Sequence, residues 1–227
     1  MNNSSKFISF IVLASLSMRL SFAGEAIVFD HPGLIGFRNG SSVFGLYDSR
    51  NATFSCSFLF MEDHTKHNPV DVDDYTDTPL LTFVIGEKSA SFSNRQKVFD
   101  IKADLYRRDD EWIVQTASGQ AGCENAVGSF IFSPKDYRSV TYRVTKKMPA
   151  IGIRIARRKM TLYDNHDGKF VARKSYLVYG DGVVSLKTQG DFSYIRYVGP
   201  GPKFEGRVTF GWVRTEDLVD PFPPATE

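Results

Sequence analysis

Residues 175–198, SYLVYGDGVVSLKTQGDFSYIRYV, contain short runs of aromatic and β-branched residues that are separated by Gly-Asp pairs. The pairs stand at Gly180-Asp181 and at Gly190-Asp191. Aromatic and β-branched residues favour the pleated, half-buried surface of a sheet, whereas Gly and Asp favour tight turns. The stretch therefore predicts successive short strands that are joined by tight turns.

The flanking sequence continues this pattern on both sides. Upstream, Ile151, Ile153 and Ile155 alternate, and the run 160–164 ends in a turn that contains Asp167-Gly168, a pair suited to a hairpin. Downstream, residues 207–213 read as a further strand. Five short strands within about 70 residues bury a common core only by curling into a small barrel.

Three motifs follow one another in this part of the chain. They are Gly180-Asp181-Gly182-Val183, residues 190–197 (GDFSYIRY), and Gly211-Trp212-Val213 with Leu218 five residues beyond Val213. Their order resembles the bacterial SH3-like family over roughly residues 150–220, with Phe192 in place of the usual Trp. The resemblance implies a small β-barrel that binds peptides, cell-wall material or a protein partner, and it implies no catalysis.

The preceding part of the chain also reads as strands and turns. The chain contains 19 Phe and 10 Tyr, and both residue types favour strands. No stretch shows a sustained apolar period of 3.6 residues, so we expect no large helix. Residues 61–79 show no period and predict a long loop. The expected strands are 52–60, 80–85, 99–106 and 111–116.

We therefore predict an all-β protein of two domains. Residues 24–145 carry 12 basic and 17 acidic residues, and residues 146–227 carry 14 basic and 9 acidic residues. The net charge thus changes from −5 to +5 at one point, which suggests two units that could dock through opposite charge. The first unit is expected to be a β-sandwich or a barrel-like domain of no recognised family, and the second an SH3-like barrel with a short C-terminal tail.

The first 23 residues have the three parts of a secretory signal peptide. Lys6 supplies a positive charge, residues 7–16 supply an apolar segment, and Ser21 and Ala23 supply small residues at positions −3 and −1 before a cut at Gly24. The apolar segment is too short to span a bilayer, which takes about 20 residues. We expect removal of residues 1–23 and a periplasmic or secreted protein without a membrane span in the mature chain.

The charge balance argues against a nucleic-acid partner. The full chain has a formal net charge of +2, and loss of Lys6 and Arg19 with the signal leaves 26 basic and 26 acidic residues. A nucleic-acid-binding protein needs a strong basic field to displace counterions from phosphates. We therefore expect a protein, peptide or peptidoglycan ligand.

The chain has two cysteines, Cys56 and Cys123. In an exported protein an even pair predicts a disulfide bond. The alternative is that Cys123 is a nucleophile, but no His follows it at a recognisable spacing.

Aromatic and basic side chains of the C-terminal unit are the candidate binding residues. Amphipathic rings are favoured at recognition surfaces, and a basic cluster suits an acidic partner or an anionic polymer. Tyr194 and Tyr197 lie three residues apart on one strand, so they point to opposite faces. The candidate residues are Tyr163, Tyr179, Tyr194, Trp212, Arg157 and Arg158.

One polar stretch contains a weak candidate metal site, formed by His64, His67 and Asp71. Two imidazoles and a carboxylate suit zinc. Their spacing fits no standard ligand loop, and a solvated acidic loop is the favoured interpretation.

Residues 164–168 superficially resemble a calcium loop, but the first and last ligand positions would be Tyr163 and Lys174, so a hairpin turn is expected there. We predict no metal and no cofactor.

Three hypotheses for the function follow. The first is a non-enzymatic binding protein of the bacterial cell envelope, because the sequence shows no acid–base pair, triad order or phosphate-binding loop. The second is a periplasmic immunity or inhibitor protein that neutralises a toxin or a hydrolase. The third is a cell-wall hydrolase that the SH3-like unit targets, with His64 or Cys123 at its active site.

Overall fold

A computed structural model describes residues 24–65, 70–72, 74–120, 122–203 and 205–224. The predicted signal peptide lies outside the described residues. Within them, strands dominate and the helices are single turns, which confirms the predicted all-β class. The strands are β1 (Gly24–Phe29), β2 (Leu34–Asn39), β3 (Ser42–Arg50), β4 (Ser55–Glu62), β5 (Val70–Val72), β6 (Tyr75–Phe83), β7 (Ile101–Arg108), β8 (Glu111–Thr116), β9 (Tyr142–Ala150), β10 (Gly152–Ala156), β11 (Met160–His166), β12 (Lys169–Leu177), β13 (Gly182–Gln189), β14 (Phe192–Val198), β15 (Val208–Arg214) and β16 (Leu218–Val219). The helices are α1 (Cys123–Ala126) and three 3-10 turns at Phe92–Asn94, Lys97–Phe99 and Thr215–Asp217.

The first part of the chain forms a closed barrel of eight antiparallel strands, β1–β4 and β6–β9. Each strand pairs with the next along the chain, β4 pairs with β6, and β1 pairs with β9 to close the ring. Of the two architectures expected for this unit, the barrel is therefore the one observed. The expected boundary between residues 145 and 146 falls inside β9, which pairs with β1 up to Ala150.

Aromatic side chains fill the barrel interior. Phe60 on β4 and Trp112 on β8 are both buried there. Gly36 on β2 and Gly45 on β3 are paired across the sheet, and they face these two rings. A Cβ atom on Gly45 would fall within the ring of Phe60, so the missing side chains make room for the aromatic core.

The chain after β8, described over residues 117–120 and 122–141, packs against the barrel core through Cys123 and Phe130, and we call it the cap. Phe130 packs edge-on against Tyr47 and Phe58 with ring centroids 5.0 and 5.2 Å apart. Cys123 in α1 is bonded to Cys56 on β4, so the predicted disulfide is confirmed and fastens the cap to the barrel wall.

The rest of the chain forms an open, curved sheet of seven strands, which we call the half-barrel. Its strand order is β12-β11-β15-β14-β13-β10-β16. One face buries a small core that includes Leu162, Ile195 and Val213. Because side chains alternate along a strand, the neighbouring residues project from the opposite face.

The outer wall of the barrel packs against part of that opposite face. Apolar side chains of β2 and β3, including Ile35 and Leu46, contact Ile153 and Ile155 on β10 and Val184 on β13. We call this contact the apolar junction. Side chains of β1–β4 therefore alternate between the barrel interior and the apolar junction, and both sets are mainly apolar.

The connection expected over residues 61–79 is partly strand. β4 extends to Glu62, and β6 begins at Tyr75, within the stretch that lacked an apolar period. Asp77 and Thr78 are buried in β6 although they are polar, which explains why the pattern was not visible in the sequence.

No helix within the described part of the chain is long and apolar enough to cross a membrane.

Loss of the disulfide should destabilise the barrel. The bond joins residues that are 67 positions apart, so a Cys56→Ala/Cys123→Ala variant should lose about 4 kcal/mol of unfolding free energy in the chain-entropy model. Urea denaturation measures this loss, and chemical reduction of the natural chain should reproduce it. The exposed Ser57 on the same strand offers a control, since Ser57→Ala should change little. Equal urea midpoints for the oxidised and reduced proteins would contradict the prediction.

Gly45→Ala should destabilise the barrel by about 1–3 kcal/mol because it overpacks the interior against Phe60. Gly119→Ala is the matched control. A Cβ atom at Gly119 meets nothing within 4 Å, so its effect should stay within about 0.5 kcal/mol. Thermal and urea unfolding of the two variants test the comparison, and equal effects would show that the interior is not tightly packed at Gly45.

Candidate functional site

Three of the predicted aromatic residues form one row across the half-barrel. Tyr163 on β11 is paired in register with Trp212 on β15. Trp212 is paired in turn with Tyr194 on β14. Side chains that are paired in register on adjacent strands project from the same face, so these three rings share the face that points away from the half-barrel core.

Three phenylalanines extend this row into a larger surface. Phe170 and Phe192 stack with ring centroids 3.8 Å apart and planes 12° from parallel. Phe170 also meets Trp212 edge-on at 5.4 Å, and Tyr194 stacks on Phe210 at 6.1 Å. We call this surface the aromatic face, and its members are Tyr163, Phe170, Phe192, Tyr194, Phe210 and Trp212.

Two residues of the aromatic face, Tyr194 and Trp212, form the floor of an open depression. Trp212 lies at the bottom with 7% of its surface exposed, whereas Phe210 at the margin is 39% exposed. Tyr194 and Trp212 line the depression together with side chains from two hairpins. We call it the aromatic depression, and its other lining residues are Asn165, Asp167, Gly168, Lys187 and Gln189.

Two hairpin turns build the polar rim. Asp167 and Gly168 have φ angles of 51° and 90°, and this left-handed conformation forms the two-residue turn between β11 and β12. The side-chain amide of Asn165 donates a 2.9 Å hydrogen bond to Oε1 of Gln189 at the end of β13. This bond holds the tips of the two hairpins together, so the rim is positioned on rigid elements.

Two cations lie over the rings. Lys187 Nζ is 5.3 Å from the ring centroid of Tyr194 and 5.5 Å from that of Trp212. Arg214 Cζ is 5.5 Å from the centroid of Phe192. Rings attract cations through their negative faces. Lys187 and Arg214 form no ion pair with any described residue, so the site presents positive charge to a ligand.

Arg173 supports the margin of the aromatic face. It donates a 2.8 Å hydrogen bond to the carbonyl oxygen of Phe210 and also bonds to Asp164. The hydrogen bond from Arg173 lowers the pKa of Asp164, so the pair keeps both charges near neutral pH. The Arg173 charge is therefore compensated, in contrast to those of Lys187 and Arg214.

The other predicted binding residues lie away from the aromatic depression. The Tyr179 hydroxyl donates a hydrogen bond to the carbonyl oxygen of Gly86, which ties the half-barrel to the barrel. Arg158 pairs with Glu216 at 3.3 Å and with Asp217. Arg157 is exposed, and its backbone N–H donates to the carbonyl oxygen of Asp217. Tyr163, Tyr194 and Trp212 are thus brought together, whereas Tyr179, Arg157 and Arg158 are not among the lining residues.

The weak metal candidate is only partly described. His64 Nε2 lies 3.3 Å from Ser42 Oγ, and His64 Nδ1 lies 3.7 Å from Glu62. His67 and the side chain of Asp71 lie outside the described residues. Among the residues that are described, no group of three or more His, Cys, Asp or Glu side chains could hold a metal ion.

Cys123 is not a nucleophile in this structure, because its sulfur is bonded to that of Cys56. The alternative that placed a reactive thiol at Cys123 is therefore wrong for the oxidised protein.

Several members of the site were not among the binding residues predicted from the sequence. They are Phe170, Phe192, Phe210, Lys187 and Arg214, with the rim residues Asn165, Asp167, Gly168 and Gln189. The sequence nonetheless contains patterns that place some of them on the same face as the predicted residues. Phe210, Trp212 and Arg214 alternate along one strand, which places them on one face. Phe170 follows the Asp167-Gly168 turn at the position that a two-residue hairpin pairs with Asn165.

Comparison of the chain with protein-family models, with curated proteins and with solved structures finds no match. The chemistry of the aromatic depression and its surroundings is therefore the basis for assigning a function.

The stacked pair Phe170 and Phe192 should contribute measurably to the stability of the half-barrel. A double-mutant cycle with Phe170→Leu and Phe192→Leu should give a coupling energy of about 1 kcal/mol, because an aromatic pair contributes roughly 0.5–1.5 kcal/mol beyond burial. Denaturant unfolding of the four proteins measures it. A control cycle pairs Phe170→Leu with Tyr137→Leu, since Tyr137 is 94% exposed on the cap. Coupling no larger than that of the control would show that the rings are not stacked in solution.

Proposed function

We propose that this chain is an exported, non-enzymatic binding protein of the bacterial cell envelope. It recognises a protein, a peptide or a peptidoglycan component through the aromatic depression of its C-terminal unit. The observation that carries the proposal is the combination of an aromatic floor, a polar rim and two uncompensated cations on one rigid surface.

The composition of the depression suits recognition of an extended ligand. Trp and Tyr supply large contact area at a low entropic cost and keep a polar tip for hydrogen bonding. The amides of Asn165 and Gln189 provide donors and acceptors at the rim. Because the depression is open at the surface, a peptide chain or a glycan strand can cross it without a conformational change in the protein.

The same lining residues give little support to catalysis. Asp167 is the one carboxylate among them, and they include no His and no Cys. General acid–base catalysis and glycoside hydrolysis both use a pair of positioned groups. A binding role therefore accounts for the site with fewer assumptions than an enzymatic one.

The resemblance to the bacterial SH3-like family supports the same interpretation. Trp212, which belongs to the Gly-Trp-Val motif, lies on the floor of the depression. Phe192, which replaces the usual Trp, stacks on Phe170, and Phe170 meets Trp212 edge-on. Residues of two of the three motifs thus belong to the candidate site. We propose that the half-barrel is a variant of that family in which the barrel wall covers part of one face.

Export is the second part of the proposal. The signal-like segment before Gly24 and the disulfide between Cys56 and Cys123 both suit an oxidising compartment, such as the periplasm, or secretion.

A second candidate is a periplasmic immunity or inhibitor protein. Exposed apolar side chains on and beside the cap favour it, since Ile131 is 43% exposed, Val140 48% and Tyr137 94%. Apolar residues that a disulfide-fastened segment presents to solvent suit contact with a protein. If this candidate holds, a strain that lacks the gene becomes sensitive to sister cells or to lytic enzymes.

Binding through the aromatic depression can be tested with residues 24–227 produced in oxidised form. Co-sedimentation with purified peptidoglycan and capture of envelope proteins should both be measured. Tyr194→Ala and Lys187→Ala should weaken the interaction at least about 10-fold, because each removes contact or charge at the depression.

The control is Tyr137→Ala, which removes an exposed tyrosine from the cap and should leave that interaction unchanged. Loss of binding with Tyr137→Ala but not with Tyr194→Ala would place recognition on the cap and favour the inhibitor. Unchanged binding in all three variants would contradict both candidates.

A further inference from the structure

One buried cation stands between the apolar junction and the aromatic face. Arg196 on β14 is 8% exposed. It is two residues from Tyr194, so it projects from the same face of the half-barrel. Its partners in the sheet are Val184 of the apolar junction and Phe210 of the aromatic face.

The Arg196 side chain makes no hydrogen bond and no ion pair with any residue that the structure describes. Burial of the side chain lowers its pKa. None of its nitrogen atoms is among the buried side-chain atoms that lack a hydrogen-bond partner, so the guanidinium keeps access to solvent. Arg196 is therefore an accessible cation without an ion-pair partner in the described chain, and an anionic ligand can reach it.

Arg196 lines a narrow cleft between the barrel and the half-barrel. The barrel side is formed by the β1–β2 turn and β3, including Pro32, Gly33 and Asp48, and the half-barrel side includes Val198. The free volume is about 30 Å³, which is room for about two water molecules. A ring cannot enter this space, so a ligand reaches the guanidinium with the oxygen atoms of a small polar group.

The carboxylate that lines the cleft, that of Asp48, is already paired with an arginine. Asp48 accepts hydrogen bonds from Nε and Nη2 of Arg50 at 3.3 and 3.1 Å. Burial raises the pKa of Asp48, and Arg50 opposes that shift. Because Arg50 holds Asp48, Arg196 stays available to a group from outside the chain.

We infer that Arg196 binds a carboxylate of a peptide whose adjacent residues occupy the aromatic depression. The inference rests on the proposed function and names the chemistry of its ligand. A guanidinium binds a carboxylate through two parallel hydrogen bonds, and the planar group enters a narrow cleft more readily than a tetrahedral phosphate. Two residues of a strand span about 7 Å, so one short peptide reaches both Arg196 and Tyr194.

The free protein provides the first test. Arg196→Met keeps the apolar stem and removes the charge. Because the charge is unpaired, this variant should unfold at the same temperature as the natural chain or at a higher one. A clear drop in unfolding temperature would show that Arg196 has a structural partner, and it would overturn the inference.

Acetate serves as the probe for the second test. At constant ionic strength, acetate should raise the unfolding temperature of the natural chain relative to chloride and shift the Nε–Hε NMR signal of Arg196. Neither effect should occur in Arg196→Met. Arg157→Met, which removes an exposed charge from the same unit, should respond as the natural chain does. A response to phosphate without one to acetate, or an equal response in Arg196→Met, would overturn the assignment of a carboxylate.

Peptide ligands distinguish this inference from the proposed function. Peptides that carry a tyrosine and either a C-terminal carboxylate or a glutamate should bind about 10- to 100-fold more weakly to Arg196→Met, and the stronger of the two identifies the source of the carboxylate. Tyr194→Ala should weaken the same peptides while leaving the acetate response intact. If acetate acts at Arg196 but Tyr194→Ala has no effect on any peptide, the proposed function fails and the anion site stands. If the peptides bind equally to Arg196→Met and to the natural chain, the inference fails.

Discussion

The apolar junction determines which part of the half-barrel remains accessible. The barrel wall covers β10 and β13, where Ile153, Ile155 and Val184 are buried against it. β14, β15 and β11 continue the same face beyond the wall, and there the side chains change from aliphatic to aromatic. The candidate site is thus the uncovered part of a single face, and its position follows from where the barrel ends.

The sequence predicted the local structure better than the closure of the sheets. The alternation around Tyr194 and Trp212, the Asp167-Gly168 turn and the Cys56–Cys123 pair were all visible in the sequence, since each depends on neighbouring residues or on residue type alone. Closure of the barrel through β1 and β9 depends on a pairing more than 100 positions apart in sequence, which no local pattern encodes. β6 was missed at its start because buried Asp77 and Thr78 interrupt the apolar pattern.

The opposite net charges of residues 24–145 and 146–227 do not dock the half-barrel on the barrel through the ion pairs that the structure describes. The described pair that joins the two ranges, Lys147 with Asp110 at 3.7 Å, lies within the barrel, because Lys147 is on β9. The basic residues near β10–β12 pair within their own part of the chain, as with Arg154 and Asp220 at 3.0 Å and Arg158 and Glu216 at 3.3 Å. Contact with the barrel is mainly apolar. It is supplemented by hydrogen bonds from the Tyr179 hydroxyl to the carbonyl oxygen of Gly86 and from the backbone N–H of Arg50 to the carbonyl oxygen of Pro200. Local pairing therefore compensates part of the positive charge, and cations such as Lys187 and Arg214 keep theirs at the aromatic face.

The pairing of β1 with β9 also constrains when the protein can fold. A chain that is synthesised from its N-terminus presents β1 long before residue 142 is added, so β1 lacks its final neighbour during that time. The half-barrel is synthesised last, and it covers barrel side chains such as Ile35 and Leu46 that would otherwise face water. An incomplete chain thus leaves an open sheet edge and an apolar wall exposed to water, and both favour aggregation until the remaining strands arrive.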